Sequence, residues 1–275
     1  MLKRTVVGIV ILCVVAVFLI FAHLPYVMLP VMMLFAVCAV NEIYRAAGLR
    51  KNKVFFVLSL VVAMCLCWMS WLLKAWELQF TYAVTVLVLG VSMFSLFMVK
   101  EHKIQPTRFV ISGIALITVL LITSNVVLLS LENGVLFFAL SFVACAATDV
   151  FAYLVGSKFG KHQLAPHLSP KKTIEGAVAG LVLTPLFVLA VAFVLQLCNL
   201  FHFNYWLLAV YSLLLAVGAE FGDLSMSSLK RLCNIKDFGK LLPGHGGLLD
   251  RFDSQIVCSA YTLVFVLMFG NLIIL

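Results

Sequence analysis

The chain has 275 residues, of which 64% are apolar and 11% are charged. Its mean hydropathy of +1.18 lies outside the range of soluble domains and inside that of proteins that cross a membrane several times. The net charge of +8 comes without a basic arm or a groove of interleaved basic and aromatic residues. We therefore interpret the charge as a sign of membrane orientation and expect no nucleic-acid partner.

Apolar runs long enough to cross the hydrocarbon core, about 18 residues or more each, follow one another along the chain. They predict an all-α, polytopic integral membrane protein, because backbone groups in lipid must pair within their own segment and no two-residue alternation indicates a barrel. The first run is too long for a secretory leader and is predicted to be a retained helix. We predict about nine transmembrane helices, at roughly residues 5 to 22, 25 to 45, 54 to 73, 79 to 99, 109 to 131, 135 to 157, 174 to 197, 204 to 229 and 252 to 274.

Basic residues predict the orientation of these helices, because cytoplasmic loops collect Lys and Arg. With nine helices, 18 of the 19 basic residues lie on one side of the membrane, and only Lys74 lies on the other. We therefore predict a cytoplasmic N-terminus and a C-terminus on the outer side. The short loops favour the lipid bilayer of a bacterial plasma (inner) membrane, with the membrane of a eukaryotic organelle as the alternative.

Ionisable residues away from the helix ends are concentrated in the second half of the chain. Asp149 lies in the sixth run, and Glu220 and Asp223 lie in the eighth. Charged groups at membrane depth are costly and mark functional sites by default. We therefore divide the chain into residues 1–133, with the first five helices, and residues 134–275, with the last four helices and the cytoplasmic loops of the candidate site.

A polar face is predicted near the cytoplasmic end of the sixth helix. Asp149, Tyr153 and Gly156 follow one another at spacings of four and three residues, which places them on one side of a helix. An acid at this depth is expected to face a polar cavity.

The loop after the sixth helix contains the sequence SPKKTIEG. It predicts a helix start, with Ser169 as the cap and Pro170 at the first helical position. A helix N-terminus that carries Lys171, Lys172 and Thr173 is suited to binding an anion. The alternative is that these lysines only mark the cytoplasmic side of the membrane.

One stripe of the eighth helix combines acids and bases. Glu220, Asp223, Ser227, Lys230 and Arg231 follow the 3.6-residue period, with the carboxylates at membrane depth and the cations toward the cytoplasm. This stripe is either a ligand-binding face or a self-neutralising face that pairs with other helices.

The loop KDFGKLLPGHGGLLDRFD, residues 236 to 253, is rich in both glycine and charged residues. Gly244, Gly246 and Gly247 permit positive φ and let backbone amides approach a ligand closely, as loops that bind phosphate do. His245 lies among these glycines and holds the loop, contacts phosphate or serves as a general base.

Two acids follow the glycines. Asp250 and Asp253 open the ninth helix one turn apart, although carboxylates at this place also stabilise the helix dipole. Carboxylates from the eighth and ninth helices, flanked by Lys and Arg, offer what a complex of Mg²⁺ and a nucleotide needs. The acids supply hard oxygen ligands for the ion, and the cations and glycine amides neutralise the remaining phosphate charge.

These residues resemble the phosphatidate cytidylyltransferases, also called CDP-diacylglycerol synthases. The run SSLKRLCNIKDFGKLLPGHGGLLDRFD, residues 227 to 253, is similar to the signature of that family over its 27 positions. Residues 148 to 161, TDVFAYLVGSKFGK, and residues 169 to 176, SPKKTIEG, are also similar and come in the family's order. Roughly the first 140 residues resemble the family only as a run of apolar helices.

The resemblance implies an enzyme that converts CTP and phosphatidic acid to CDP-diacylglycerol and pyrophosphate in the membrane, with Mg²⁺. It also implies a homodimer and a monovalent cation such as K⁺ near the Mg²⁺ site. Family members place metal ligands on the residues that match Asp223 and Asp250, and we add Glu220 and Asp253 as further candidates.

The other candidate site residues are assigned by charge and by position in the matched segments. Lys230 and Arg231 join the two aspartates as predicted catalytic residues. The predicted substrate-binding residues are Asp149, Lys171, Lys172, Thr173, Lys236, Asp237, His245, Gly246, Gly247 and Arg251.

Two other functions are compatible with part of this pattern. A CTP-dependent polyprenol or phytol kinase would transfer the γ-phosphoryl group of CTP instead of its cytidylyl group. An ion-coupled transporter would use the acids as a cation path, but it predicts polar residues near mid-membrane and often inverted repeats. Here the charge lies on the cytoplasmic side of one half of the chain, so we expect an active site that faces the cytoplasm.

Overall fold

The computed structural model describes residues 2–51, 53–72, 106–166, 168–239, 241, 242 and 246–274. Within these ranges the chain is helical apart from one short β-hairpin and the connecting segments. The predicted helix at residues 79 to 99 lies outside the described residues, as do Lys74, Lys240 and His245.

The described helices follow the predicted apolar runs, and each begins and ends within about three residues of a predicted bound. They are α1 (Leu2–Phe21), α2 (Pro25–Ala46), α3 (Lys53–Leu72), α4 (Pro106–Leu129), α5 (Gly134–Phe159), α6 (Ile174–Leu197), α7 (Tyr205–Leu232) and α8 (Leu249–Ile273). The strands β1 (Gln163–Ala165) and β2 (Ser169–Thr173) lie between α5 and α6, and a single 3-10 turn, Leu49–Lys51, precedes α3.

Of the described helices, six are long and apolar enough to cross a membrane, namely α2, the Ile111–Leu129 part of α4, and α5 to α8. The apolar stretches Val7–Phe21 in α1 and Phe56–Leu72 in α3 are shorter. This architecture is that of a helical integral membrane protein, because helices satisfy their own backbone groups in lipid. The all-α class is confirmed, whereas the count of nine helices and their orientation stay predictions.

The chain packs as two compact units, each built from two separate stretches. Met1–Glu132 and Leu229–Phe252 form the first unit, in which α2 packs against α3 and α4, and α3 packs against α4. Asn133–Ser228 and Asp253–Leu275 form the second unit, which contains α5, the hairpin, α6 and most of α7 and α8. The functional division into residues 1–133 and 134–275 stays a prediction.

Small residues join α5 to α6 in the second unit. The buried hydroxyls of Thr148 and Thr184 lie 3.0 Å apart. A Cβ atom built on Gly176 would lie 2.5 Å from the carbonyl oxygen of Ala152, and one on Gly180 would lie 3.1 Å from Cγ2 of Thr148. Helices in membranes associate through such close backbone approach, because lipid removes the hydrophobic driving force between them.

The predicted helix start at Ser169 is wrong. Ser169 to Thr173 form β2, which pairs antiparallel with β1 in the register Gln163 with Thr173 and Ala165 with Ser169. Thr173 is the cap of α6, since its hydroxyl oxygen accepts a hydrogen bond from the Gly176 N–H at 3.2 Å. Ser and Thr are both good cap residues, and strand pairing engages the first while the second begins the helix.

Candidate functional site

A lysine lies between two carboxylates in the second unit. Lys172 Nζ lies 2.7 Å from Oε2 of Glu220 and 2.9 Å from Oδ2 of Asp223. The three-residue spacing puts both acids on one face of α7, and β2 brings the lysine to them. We call these three residues the α7 cluster.

The α7 cluster has an excess of negative charge. Burial lowers the pKa of Lys172, but the neighbouring charges and hydrogen bonds of Asp223 and Glu220 outweigh burial and raise the pKa above its ordinary value. One ammonium therefore faces two carboxylates. Glu220 is buried, and its Oε1 has no hydrogen-bond partner among the described residues. A buried acceptor without a partner is unusual and marks a place where a cation or a donor group could bind.

Three further residues of the second unit, Asp149, Lys171 and Thr173, were predicted to bind substrate. Lys171 is exposed beside Lys172 in β2, and Asp149 is exposed on α5. The Thr173 hydroxyl already serves as the helix cap. The structure thus brings Lys172, but not the exposed Lys171, into contact with the predicted metal ligands of α7.

Asp250 organises the glycine loop in the first unit. Its Oδ2 accepts hydrogen bonds from the backbone N–H groups of Phe238 and Gly247, each at 2.9 Å. Its Oδ1 accepts one from Lys230 Nζ at 3.1 Å. Lys230 also lies 5.6 Å from the centre of the Phe238 ring, within the range of a cation–π contact. The pairing of Lys230 with Asp250 brings together two of the predicted catalytic residues.

Glu42 is a further acid at this loop, and sequence reasoning missed it. Its Oε1 accepts a hydrogen bond from the Leu248 N–H and its Oε2 one from the Leu249 N–H, both at 2.9 Å. Arg45, one turn later on α2, donates to the Phe238 carbonyl at 3.1 Å. Glu42 and Arg45 lie three residues apart near the end of a predicted helix. Charged residues are common at helix ends, so the sequence offers no reason to single them out.

The glycines of the loop make room for these carboxylates. A Cβ atom on Gly247 would lie 2.5 Å from Oε2 of Glu42, and one on Gly239 would lie 2.5 Å from its Oε1. Gly246 has a φ of 87°, and a Cβ there would lie 2.8 Å from Oδ2 of Asp250. The positive φ that the sequence predicted for this loop is found at Gly246, and the close neighbours of these three glycines are carboxylates of the chain, where the sequence suggested phosphates.

The remaining predicted residues differ in their exposure and in their hydrogen bonds. Lys236, Asp237 and Arg251 are exposed, and Arg231 donates to the Ile235 carbonyl at 3.3 Å. Asp253 is buried, and its Oδ1 accepts from the Ser254 N–H at 2.9 Å.

Metal-binding side chains do not cluster into a complete ligand set in the part of the chain that the structure describes. No three His, Cys, Asp or Glu side chains of the described part of the chain lie close enough together to hold an ion. The geometry alone therefore leaves the metal prediction for Asp223 and Asp250 untested.

Comparison with known proteins shows a similarity along almost the whole chain. The model of the cytidylyltransferase family matches residues 2–269. The phosphatidate cytidylyltransferase of Staphylococcus haemolyticus (strain JCSC1435) is 40% identical over 123 residues, which are 45% of this chain and 46% of the relative. That of Staphylococcus aureus (strain COL) is 42% identical over 123 residues, with the same shares. In these alignments the chain spans about half the length of the curated relatives that it matches.

Proposed function

The chain belongs to the cytidylyltransferase family, and from this premise we propose that it is a phosphatidate cytidylyltransferase. It would transfer the cytidylyl group of CTP to phosphatidic acid, forming CDP-diacylglycerol and releasing pyrophosphate. The observation that carries the proposal is the glycine loop of residues 236 to 253, which resembles the family signature. Among its described residues, Phe238 and Gly247 donate backbone hydrogen bonds to Asp250, which also pairs with Lys230.

This reaction needs a site that neutralises the negative charges of both substrates more than it needs a strong base. The phosphate monoester of phosphatidic acid has a second pKa near 6, so at neutral pH the attacking oxygen is largely deprotonated and a strong base is unnecessary. The difficulty lies in bringing two anions together and in releasing pyrophosphate. Positioning and charge neutralisation would therefore supply most of the catalysis.

We propose Asp223 and Asp250 as ligands of Mg²⁺, with Glu220 and Asp253 as further candidates. The excess negative charge of the α7 cluster supports a cation at Glu220 and Asp223, and Asp250 is proposed from its place in the segment that resembles the family signature. Carboxylate oxygens are the ligands that Mg²⁺ prefers, and the ion would neutralise charge on the triphosphate. A monovalent cation such as K⁺ remains part of the proposal.

The basic residues would bind the phosphates of both substrates. Lys230, Arg231, Lys236 and Arg251 would serve the triphosphate, and Lys171 the triphosphate or the lipid head group. The exposure of Arg231, Lys236, Arg251 and Lys171 supports this role, since an incoming anion can reach them. Lys172 would then act mainly through the two carboxylates that it touches.

We also propose nine transmembrane helices in a bacterial plasma membrane, a cytoplasmic active site and a homodimer. The distribution of 18 of the 19 basic residues on one side supports the orientation. Bacterial relatives support the membrane.

An assay with labelled CTP tests the activity. The assay combines the purified chain with Mg²⁺, phosphatidic acid and CTP labelled at its α-phosphate. We expect the label to appear in the lipid, together with an equal amount of unlabelled pyrophosphate. Transfer from a γ-label with no α-label in the lipid, using a polyprenol as acceptor, would indicate a lipid kinase. The absence of pyrophosphate in all detergents and lipids tested, together with Mg²⁺-independent cation flux in vesicles, would favour a transporter.

A further inference from the structure

We propose that Glu42 is a positioning residue for the transfer reaction and acts by fixing the loop that carries Asp250. The inference rests on the proposed function, because Asp250 has a catalytic role only if that function is correct. Glu42 lies 206 residues before Leu248 in the chain, so nothing in the local sequence of the loop points to it.

The Glu42 carboxylate is buried against the start of α8. The residue is 4% exposed, and each carboxylate oxygen accepts a hydrogen bond from a backbone N–H. These two N–H groups belong to Leu248 and Leu249, at the start of α8, where four backbone donors lack partners within the helix. A negative charge at this end is also favoured by the helix dipole. Glu42 therefore fixes where α8 begins.

Gly247 couples Glu42 to Asp250. The Gly247 N–H donates to Oδ2 of Asp250, and a Cβ on Gly247 would overlap with the Glu42 carboxylate, at 2.5 Å from its Oε2. The two acids thus hold three consecutive amides, those of residues 247, 248 and 249. A displacement of Glu42 would move Gly247, and with it the oxygen of Asp250 that the loop orients.

The same helix fixes the other end of the loop. Arg45 holds the Phe238 carbonyl, and the Phe238 N–H donates to Oδ2 of Asp250. Asp250 is therefore held by two amides whose own positions depend on α2. The opposite oxygen, Oδ1, accepts a hydrogen bond from Lys230 Nζ.

Glu42→Gln tests the proposal, with Glu132→Gln as a matched control at an exposed acid. The glutamine keeps the volume but offers one acceptor where two N–H groups need one each. We expect kcat to fall about 10- to 100-fold and the Mg²⁺ concentration for half-maximal rate to rise, as for residues that orient a metal ligand. The KM for phosphatidic acid should stay unchanged. A purely structural role would lower the yield of folded enzyme without moving the Mg²⁺ requirement.

Amide hydrogen exchange gives a readout that does not depend on activity. The amides of Leu248 and Leu249 should exchange faster in Glu42→Gln than in the wild type, and at the wild-type rate in Glu132→Gln. If the wild-type protein is inactive but shows this exchange pattern, the proposed function is overturned, while the hydrogen bonds from Leu248 and Leu249 to Glu42 are confirmed. Active wild-type protein whose Glu42→Gln variant keeps its kcat and Mg²⁺ requirement would overturn the positioning role alone.

A second pair of variants serves if Glu42→Gln fails to fold. Gly247→Ala should reduce kcat because its Cβ would lie 2.5 Å from Oε2 of Glu42. Glu42→Asp withdraws the carboxylate by one methylene and makes room for that methyl group. The double variant should therefore be more active than the product of the two single effects predicts. Independent effects would contradict a direct contact between Glu42 and Gly247.

Discussion

Asp250 and Asp223 are both proposed metal ligands, but their contacts predict different results on substitution. Asp250→Asn replaces one oxygen of a carboxylate that holds two loop amides and a lysine. Asp223→Asn still leaves Glu220 to pair with Lys172. We expect each variant to lower the rate of pyrophosphate release at least about 100-fold, whereas only Asp250→Asn should clearly lower the thermal stability in detergent. Near-normal activity in either variant would remove that residue from the metal site.

Neighbouring lysines provide a second contrast at the residue scale. Lys172→Ala would leave Glu220 and Asp223 side by side without a counter-charge, because the lysine touches both acids and its side chain is 19% exposed. We expect the free energy of unfolding to fall by about 1 to 3 kcal/mol, less than for a fully buried pair. Lys171→Ala should leave stability within about 0.5 kcal/mol and raise a substrate KM. Unfolding by SDS in mixed micelles measures the loss of stability in Lys172→Ala, and steady-state kinetics measure the change of KM in Lys171→Ala.

The pH dependence of the Lys172 contribution follows from its raised pKa. A lysine whose folded pKa lies above its ordinary value of 10.5 adds stability that is fully present below that value. The stability is lost only as the pH rises through the folded pKa. The stability difference between wild type and Lys172→Ala should therefore not decline between about pH 7 and about pH 9. A decline within that range would show that the lysine loses its charge there.

The sequence identified as candidates several of the charged residues that the structure pairs, but it did not predict their partners. Charge and spacing identified Lys172, Glu220, Asp223, Lys230 and Asp250 as candidates. Which lysine meets which acid depends on contacts between distant parts of the chain, and spacing along one helix does not contain that information. Glu42 was missed for the same reason, since its partners lie 206 and 207 residues away.

At the scale of elements, apolar runs predicted the helices well and the hairpin not at all. Length and hydropathy are sufficient for a helix in lipid, because the backbone there must pair within its own segment. The strand Ser169–Thr173 has a proline, two lysines and no apolar alternation, so nothing in its pattern predicts a strand. It forms by pairing with Gln163–Ala165 next to the cap of α6.

The contact between α5 and α6 predicts a graded response to added methyl groups. Gly176→Ala would place a Cβ 2.5 Å from a backbone oxygen, whereas Gly180→Ala would place one 3.1 Å from the Thr148 methyl group, which is a smaller overlap. We expect Gly176→Ala to lower the free energy of unfolding by about 1 to 3 kcal/mol and Gly180→Ala by less. Val178→Ala, on the exposed side of α6, is the control and should change little. Equal effects of the two glycine variants would contradict this packing.

At the scale of the whole molecule, the two compact units are not contiguous in sequence. The glycine loop is packed in one unit with α1 to α4, although it follows the helices of the other unit along the chain. Hydropathy locates helices but does not show which of them pack together. This explains why the first four described helices looked like plain membrane anchors, and why α2 supplies two residues that hold the loop.

The orientation of the whole chain gives the last prediction. Nine helices would place the two ends on opposite sides of the membrane, and the basic residues predict that the N-terminus lies in the cytoplasm. Green fluorescent protein should therefore fluoresce when fused before residue 1 of the full chain, and alkaline phosphatase should be active when fused after residue 275. The two reporters exchanged between the ends are the matched controls and should give no signal. Fluorescence at both ends would mean an even number of crossings, and one of the predicted apolar runs would then not cross the membrane.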